Sequence, residues 1–399
     1  MRVMNAQNFS DIQANYCCHV CGQSTLEIVP GYEMFSQVTS DCKPWPAGNR
    51  LGICQSCGCV QKIIDQKWRF EMEKIYKNYS IYHQSGGIEQ AVFDKDSGQA
   101  SSRSARLLEC LKSQINLPAT GRILDVGCGN GGLLRSFARL FPKWSIAGTE
   151  YDDRYRKAIE NITANSTLYT CPLENIHKTF DLITMLHILE HVLDPVTFLK
   201  HARGKLEDGG FLVVDVPDYQ QNPVDLLIAD HCTHFTLSTL ARALKKAGFA
   251  IVIYTTDWIP KEISIVAKKE LGHHQNQSGV EGWDSEISQY ESVIKCLKWV
   301  EFLREAVKKI SVMGNFGIFG TSIAATWLFS EIGESVSFFV DEDPQRAGKT
   351  YMGRPIYHSQ DVPKGSHIFL ALPSEIASVV FRRLTRADVK FHLPPLLKV

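Results

Sequence analysis

Seven of the twelve cysteines in this 399-residue sequence fall before residue 60. Four of them make two C-x-x-C pairs, Cys18-His19-Val20-Cys21 and Cys54-Gln55-Ser56-Cys57. Each pair can bend round one ion, and four thiolates close a tetrahedral shell, the ligand pattern of structural zinc. A redox dithiol or an iron–sulfur cluster could use the same residues, but paired knuckles at this separation favour zinc at Cys18, Cys21, Cys54 and Cys57. So small a region has little core of its own, so metal binding and folding should be coupled. Cys17, Cys42 and Cys59 are left over; Cys17 could exchange with Cys18, and Cys59 reads as an apolar strand residue.

A second stretch able to do chemistry is Ile123-Leu124-Asp125-Val126-Gly127-Cys128-Gly129-Asn130-Gly131-Gly132. It runs from an apolar strand through a glycine-rich turn into a helix near Leu133. Gly127, Gly129 and Gly131 let the backbone turn sharply and approach a ligand where a Cβ would clash. The spacing departs from the dinucleotide fingerprint G-x-G-x-x-G and suits a ligand with an amino-acid moiety. The next strand, Ile146 to Thr149, ends in Glu150, whose carboxylate can accept from two ribose hydroxyls. Leu168 to Leu173 adds a strand and a loop that could hold an adenine.

Two histidine clusters follow later strands. His187 and His191 come after Phe180 to Met185, and Asp230-His231-Cys232-Thr233-His234-Phe235-Thr236 comes after Gly209 to Pro217. An imidazole is suited to accept a proton near neutral pH. His231 is the better base candidate, Asp230 could orient its ring, and His191 is the next candidate. Tyr76, Tyr79 and Tyr82 recur every third residue, as core packing or as a lid over the ligand.

These groups need an α/β framework to hold them. Short apolar strands alternate with helical stretches from about 120 to 268, the mark of a mostly parallel sheet with ligands beyond its carboxyl edge. Residues 67–115 read as helical, broken at Gly86-Gly87. The polar run 272–279 reads as a linker, and Ile287 to Ile310 as a long amphipathic helix. Alternation returns at Phe316-Gly317-Ile318-Phe319-Gly320-Thr321 and at Ser337 to Pro344, where Asp341 could meet a ribose and the helix start a phosphate. The expected domains are a zinc-binding domain over 1–66, a helical lid or linker over 67–119, the main catalytic domain over 120–270, and a small α/β domain over 285–399.

The D-V-G-C-G-N-G loop, the Glu150 strand end, H-I-L-E-H-V-L-D-P (187–195) and L-E-D-G-G-F-L-V-V-D-V-P (206–217) resemble class I methyltransferases in order and spacing. The resemblance implies a Rossmann-like fold binding S-adenosylmethionine, with Asp125 and the glycines facing its methionine part, Glu150 its ribose, and Tyr76 closing over it. The whole chain, with knuckles in front and a Rossmann-like α/β domain behind, resembles the zinc-containing nucleotide-sugar C-methyltransferases. In that family a Y-H-E-H-x-S-Y-F-S segment supplies the base through its second histidine. Here that histidine is His231, Asp230 replaces the acid, and Ile228 and Ala229 replace the tyrosine and first histidine. O-methylation of a glycan or secondary metabolite remains an alternative, as does a binding protein with a vestigial catalytic domain.

The 43 basic side chains are matched by 43 acidic ones, so no overall field draws nucleic acid or an anionic membrane. The first residues lack the apolar core of a signal peptide, and no apolar run approaches a membrane span. The expected setting is the cytoplasm and the expected partner a small polar molecule.

Overall fold

The strand Ile123-Leu124-Asp125-Val126 is apolar on both faces apart from one acid, so it is stable only where both faces are covered. In the computed structural model, which describes residues 16–80, 89, 91–93, 100–270, 288–384 and 386–397, it lies mid-sheet. The sheet comprises β1 (Arg122–Val126), β2 (Ser145–Thr149), β3 (Thr167–Tyr169), β4 (Phe180–Leu186), β5 (Leu206–Pro217), β6 (Phe249–Thr255) and β7 (Glu262–Lys269). Their order is β3-β2-β1-β4-β5-β7-β6, parallel through β5, with β7 antiparallel to both its neighbours. The reversal between β1 and β4 opens a crevice at their carboxyl ends, where such sheets bind ligands. Helices Gly132–Leu140, Pro195–Gly204 and Leu237–Lys246 cover the faces. Local chemistry starts two of them: the Asp194 side chain accepts from Thr197 N with Pro195 in the first turn, and Thr236 and Thr239 form a reciprocal capping box.

Packing crosses the boundaries of the expected domains. Leu26–Ile28, Leu51–Cys54 and Val60–Lys62 form an antiparallel sheet whose fourth strand is Thr233–His234, pairing with Gln61 and Val60. A strand from the middle of the chain thus completes the N-terminal sheet. Likewise Val29, Tyr32, Phe35 and Val38 share one apolar core with Val293, Trp299, Trp327 and Phe369 of the C-terminal region. The Trp327 indole donates to Ser36 O at 3.0 Å, and the Tyr351 hydroxyl donates to Cys42 O at 3.3 Å.

The C-terminal region opens with the expected long helix, observed as Gln289–Ser311. Its sheet runs in the order Thr350–Tyr351, Arg354–Tyr357, Phe338–Val340, Phe316–Phe319, His367–Leu370, Lys390–His392, with only the first strand antiparallel to its neighbour. Between the two expected domains, 67–119 contains helices Gln66–Lys77 and Arg103–Gln114 and also a hairpin, Ala91–Phe93 with Ala100–Ser102, where only helix was expected. The first helix is capped by Asp65, and its Trp68, Met72 and Ile75 pack on Ala229 and Cys232, next to His231. Tyr82, the Gly86-Gly87 break, the 272–279 linker and the first 15 residues lie outside the described residues. Among the described residues no helix is long and apolar enough to cross a membrane.

Trp327 is fully buried at the junction of the N- and C-terminal regions. Trp327→Ala should cost about 3–5 kcal/mol by cavity formation. Urea unfolding followed by hydrogen exchange should show both regions losing protection together; loss confined to the C-terminal region would contradict a common core.

Candidate active site

The glycine loop is built as its composition requires. Gly127 lies at φ 69°, and a Cβ there would fall 2.1 Å from Ile188 Cδ1. Gly131, at φ 85°, precedes helix Gly132–Leu140. Gly127 N donates to Thr149 Oγ1 at 3.1 Å, and Gly129 N and Tyr151 N donate to the two oxygens of Glu150 at 2.7 and 3.0 Å. Glu150 therefore braces the loop as well as facing the cavity. Asp125 accepts from Thr184 Oγ1 at 2.6 Å, and burial pushes its carboxyl up to about 7. Asp125, Gly127, Glu150 and Tyr76 line one large cavity, of about 1640 Å³, while Gly129 and Gly131 shape the loop behind its wall. A cradle with no room for side chains, a carboxylate beside it and an aromatic across from it fit a bound nucleoside carrying an amino acid.

His191 and His231 line the same cavity, their rings 4.7 Å apart edge to face. The acid beside His231 is not Asp230, as expected, but Asp225. Its Oδ1 lies 2.9 Å from His231 Nδ1 and its Oδ2 2.7 Å from His234 Nδ1. The physical reason is that Asp230 is already held elsewhere: Ser40 N and Ser40 Oγ donate to it at 2.8 and 2.5 Å. Asp225 lies on the short turn Pro223–Leu227, a position that carries no motif and so was missed. Because a carboxylate accepts, both rings present Nδ1–H to it, and Nε2 of His231 is left as the basic atom.

The charges in this group follow from the pairing. Burial alone would raise Asp225, yet the two imidazoles outweigh it and hold it well below the usual carboxylate range. Burial opposes charging His231, but Asp225 outweighs that and raises it. Burial dominates at His234 and pushes it down to about 4. His191 is lowered, first by burial and then by His231; its Nδ1 sits 2.9 Å from Asp230 O and 3.2 Å from the Tyr76 hydroxyl.

The four expected cysteines converge. Their sulfurs lie within 4.8 Å of one another, with Cys18 to Cys57 at 3.4 Å and Cys21 to Cys54 at 3.5 Å, and none is in a disulfide. Four thiols so placed fit one tetrahedral ion. From between the first pair, His19 Nδ1 reaches Thr233 Oγ1 at 2.7 Å, tying this knuckle to the segment that carries His231. At the far end of the cavity lie Thr321, Asp341 and Arg346. Asp341 accepts from Thr321 N and Oγ1 and from Arg346 Nη1 on one oxygen, and from Asp343 N on the other. Its carboxylate, expected to meet a ribose, is thus occupied within the protein.

A further group went unnoticed. His187, Asp215 and Glu262 offer ligand atoms within 4.8 Å of one another at the carboxyl ends of β4, β5 and the start of β7, with Glu190 alongside. Its signal in the sequence was an acid, Asp215, inside the otherwise apolar run Leu212-Val213-Val214-Asp215-Val216.

Residues 98–253 match the family model of a methyltransferase domain. Over that region the strand order and the glycine loop agree with the class I methyltransferase fold expected from the sequence. Among similar proteins, a ubiquinone biosynthesis O-methyltransferase of Parvibaculum lavamentivorans is 30% identical over 149 residues, 35% of this chain and 49% of that protein. One of Nitrobacter winogradskyi is 26% identical over 190 residues, 45% of this chain and 60% of that protein. The chain thus spans about half the length of these relatives. Among solved structures, an S-adenosylmethionine-dependent methyltransferase of Clostridium acetobutylicum aligns at 15% identity and TM-score 0.36, covering 51% of this chain and 98% of that one.

Asp225→Asn leaves two buried imidazoles without their anion and should cost about 3–5 kcal/mol. Asp225 contributes above its unfolded pKa of about 3.9, and its contribution is lost as pH falls through the folded value. His231 contributes below its unfolded pKa of about 6.5, and its contribution is lost as pH rises through the raised folded value. Urea unfolding across pH should therefore show the deficit of Asp225→Asn greatest between about pH 4 and 6.5. A deficit that is flat across pH would exclude an ion pair.

Proposed function

We propose that this methyltransferase acts on a hydroxyl of a polar small molecule, a nucleotide-linked sugar being the favoured class, with His231 as general base. One observation carries this reading: a single cavity joins the glycine loop to His191 and His231 and continues to Thr321 and Arg346 of the C-terminal region. That span exceeds what one nucleoside needs and leaves room for an acceptor with a second extended, polar part. Oxygen as the acceptor atom is supported by the relatives, which are named O-methyltransferases.

S-adenosylmethionine, when bound, supplies an electrophilic methyl group. Asp125, the 127–131 loop, Glu150 and Tyr76 are the residues that would hold it. His231 Nε2 takes the proton that the acceptor hydroxyl releases as the oxygen is methylated, and Asp225 stabilises the resulting imidazolium. Asp230 acts at a distance, fixing Ser40 against the cavity and placing its own carbonyl on His191. His191, kept neutral, would orient the acceptor with its free nitrogen. Cys18, Cys21, Cys54 and Cys57 hold one structural zinc with no open coordination position. The zinc would act indirectly, by anchoring the strand that follows His231.

His231→Asn should lower single-turnover methyl transfer by about 10²–10⁴-fold with S-adenosylhomocysteine affinity unchanged. The wild-type rate should rise with pH as the imidazolium loses its proton. A near-normal rate with an unaltered pH profile would remove His231 from the mechanism.

Elemental analysis should find one zinc per chain in the freshly purified protein. A Cys54→Ser, Cys57→Ser protein should lose it together with the protection of Thr233 and His234 amides against exchange. A metal-free protein with all four thiols reactive would refute the assignment.

A further inference from the structure

Among the described residues, three groups beyond the cysteines could hold a cation: Asp225 with His231 and His234, Glu190 with His191 and His231, and His187 with Asp215 and Glu262. In the first, both carboxylate oxygens are already used by imidazole N–H groups. In the second, His191 Nδ1 is engaged by Asp230 O and Tyr76. The third differs. Asp215 is fully buried and its Oδ1 has no hydrogen-bond donor, nor has Glu262 Oε2; Glu190, 2% exposed, meets only His187 Nδ1, at 3.3 Å from Oε1. Buried carboxylate oxygens left without donors are costly and call for a water or an ion to explain them.

The surroundings hold these side chains toward one point. Ser264 donates to Asp215 Oδ2 at 2.5 Å, leaving Oδ1 to face His187 Nε2 at 3.9 Å. Arg103 Nε lies 2.9 Å from Glu262 Oε1, leaving Oε2. His187 is anchored by its backbone, whose N–H donates to Asp215 O at 2.9 Å. His187, Glu262 and Arg103 all line the cavity, so the point of convergence is closed on the protein side and open toward the acceptor.

We propose that His187, Asp215 and Glu262 form a second metal site, distinct from the cysteine centre, which binds a divalent cation able to take the acceptor hydroxyl as a further ligand. Two carboxylates and one imidazole are a borderline donor set, suited to Mn²⁺ and similar first-row ions. The distances allow such an ion, about 2.1 Å from each donor, after small side-chain rotations. Glu190 and Glu262 are matched by Arg103 and by a charged His187, whose Nδ1 and Nε2 lie 3.3 and 3.0 Å from them, so a dication would enter by displacing the His187 proton. A coordinated hydroxyl becomes more acidic, which would ease its deprotonation by His231. The role of the ion rests on the hydroxyl-acceptor reading; its binding does not.

The test is a titration of zinc-replete protein with Mn²⁺ alone, followed by electron paramagnetic resonance. The free six-line signal should be suppressed up to one Mn²⁺ per chain. Asp215→Asn with Glu262→Gln should weaken binding at least about tenfold, as should His187→Ala, a smaller change at the cavity wall that guards against misfolding of the first variant. S-adenosylhomocysteine affinity, measured on each, should stay within about threefold of wild type. Absence of Mn²⁺ binding at millimolar concentration, or equal binding by folded variants, would overturn the site and leave a proton-sharing network in its place. Intact Mn²⁺ binding by a protein whose acceptor atom proves to be carbon would overturn the hydroxyl reading instead.

Discussion

The carboxylate of Asp225 lies wholly out of water, and it is tolerable there only because two imidazoles donate to it. That requirement governs much around it. His231 and His234 must both reach it, and the pairing of Thr233–His234 with the edge of the N-terminal sheet fixes the backbone that carries them. The sheet must in turn be held, which is why the cysteine pairs lie behind it and His19 reaches forward to Thr233. A buried cation completes the set: Lys62 Nζ donates to Leu226 O at 2.8 Å, and burial lowers it to about 7. The segment 230–234 is therefore suspended between two parts of the chain, its imidazoles paired with Asp225 and its backbone with the N-terminal sheet.

This arrangement explains why the acid next to His231 in sequence is not its partner in space. A residue immediately before an extended imidazole projects to the opposite face of the chain. Asp230 accordingly turns to Ser40 and to the His191 side, while the partner comes from a turn five residues earlier. Asp230 and Asp225 sit on opposite sides of one segment and fix it from both.

The sheet, the glycine loop, Glu150 and the cysteine cluster were legible because each depends on neighbours in sequence. Strand and helix alternate by local apolar pattern, the loop by its glycines, and a knuckle by two cysteines one turn apart. The group of His187, Asp215 and Glu262 was not legible, because its members meet only when β4, β5 and β7 are side by side; Asp225 was not, because its short turn carries no motif although its two histidines follow within nine residues. The contacts that cross the expected domain boundaries were hidden for a related reason. Composition marks where a segment changes character, but not that Thr233–His234 leaves its own sheet for another, nor that Val38 and Trp327 belong to one core. The hairpin at Ala91–Phe93 was hidden by its brevity and by charged neighbours that suggest helix.

The shared core has a consequence for the order in which the chain can be made. Residues 26–62 are translated before the rest of this core, and their apolar face is covered by Val293, Trp299 and Trp327, more than two hundred residues later. At the usual elongation speed of about 5–20 residues per second, that face is uncovered for tens of seconds. That face must therefore be shielded, by a chaperone or by transient burial against the nascent central sheet, until the segment from Val293 to Trp327 arrives to seal it.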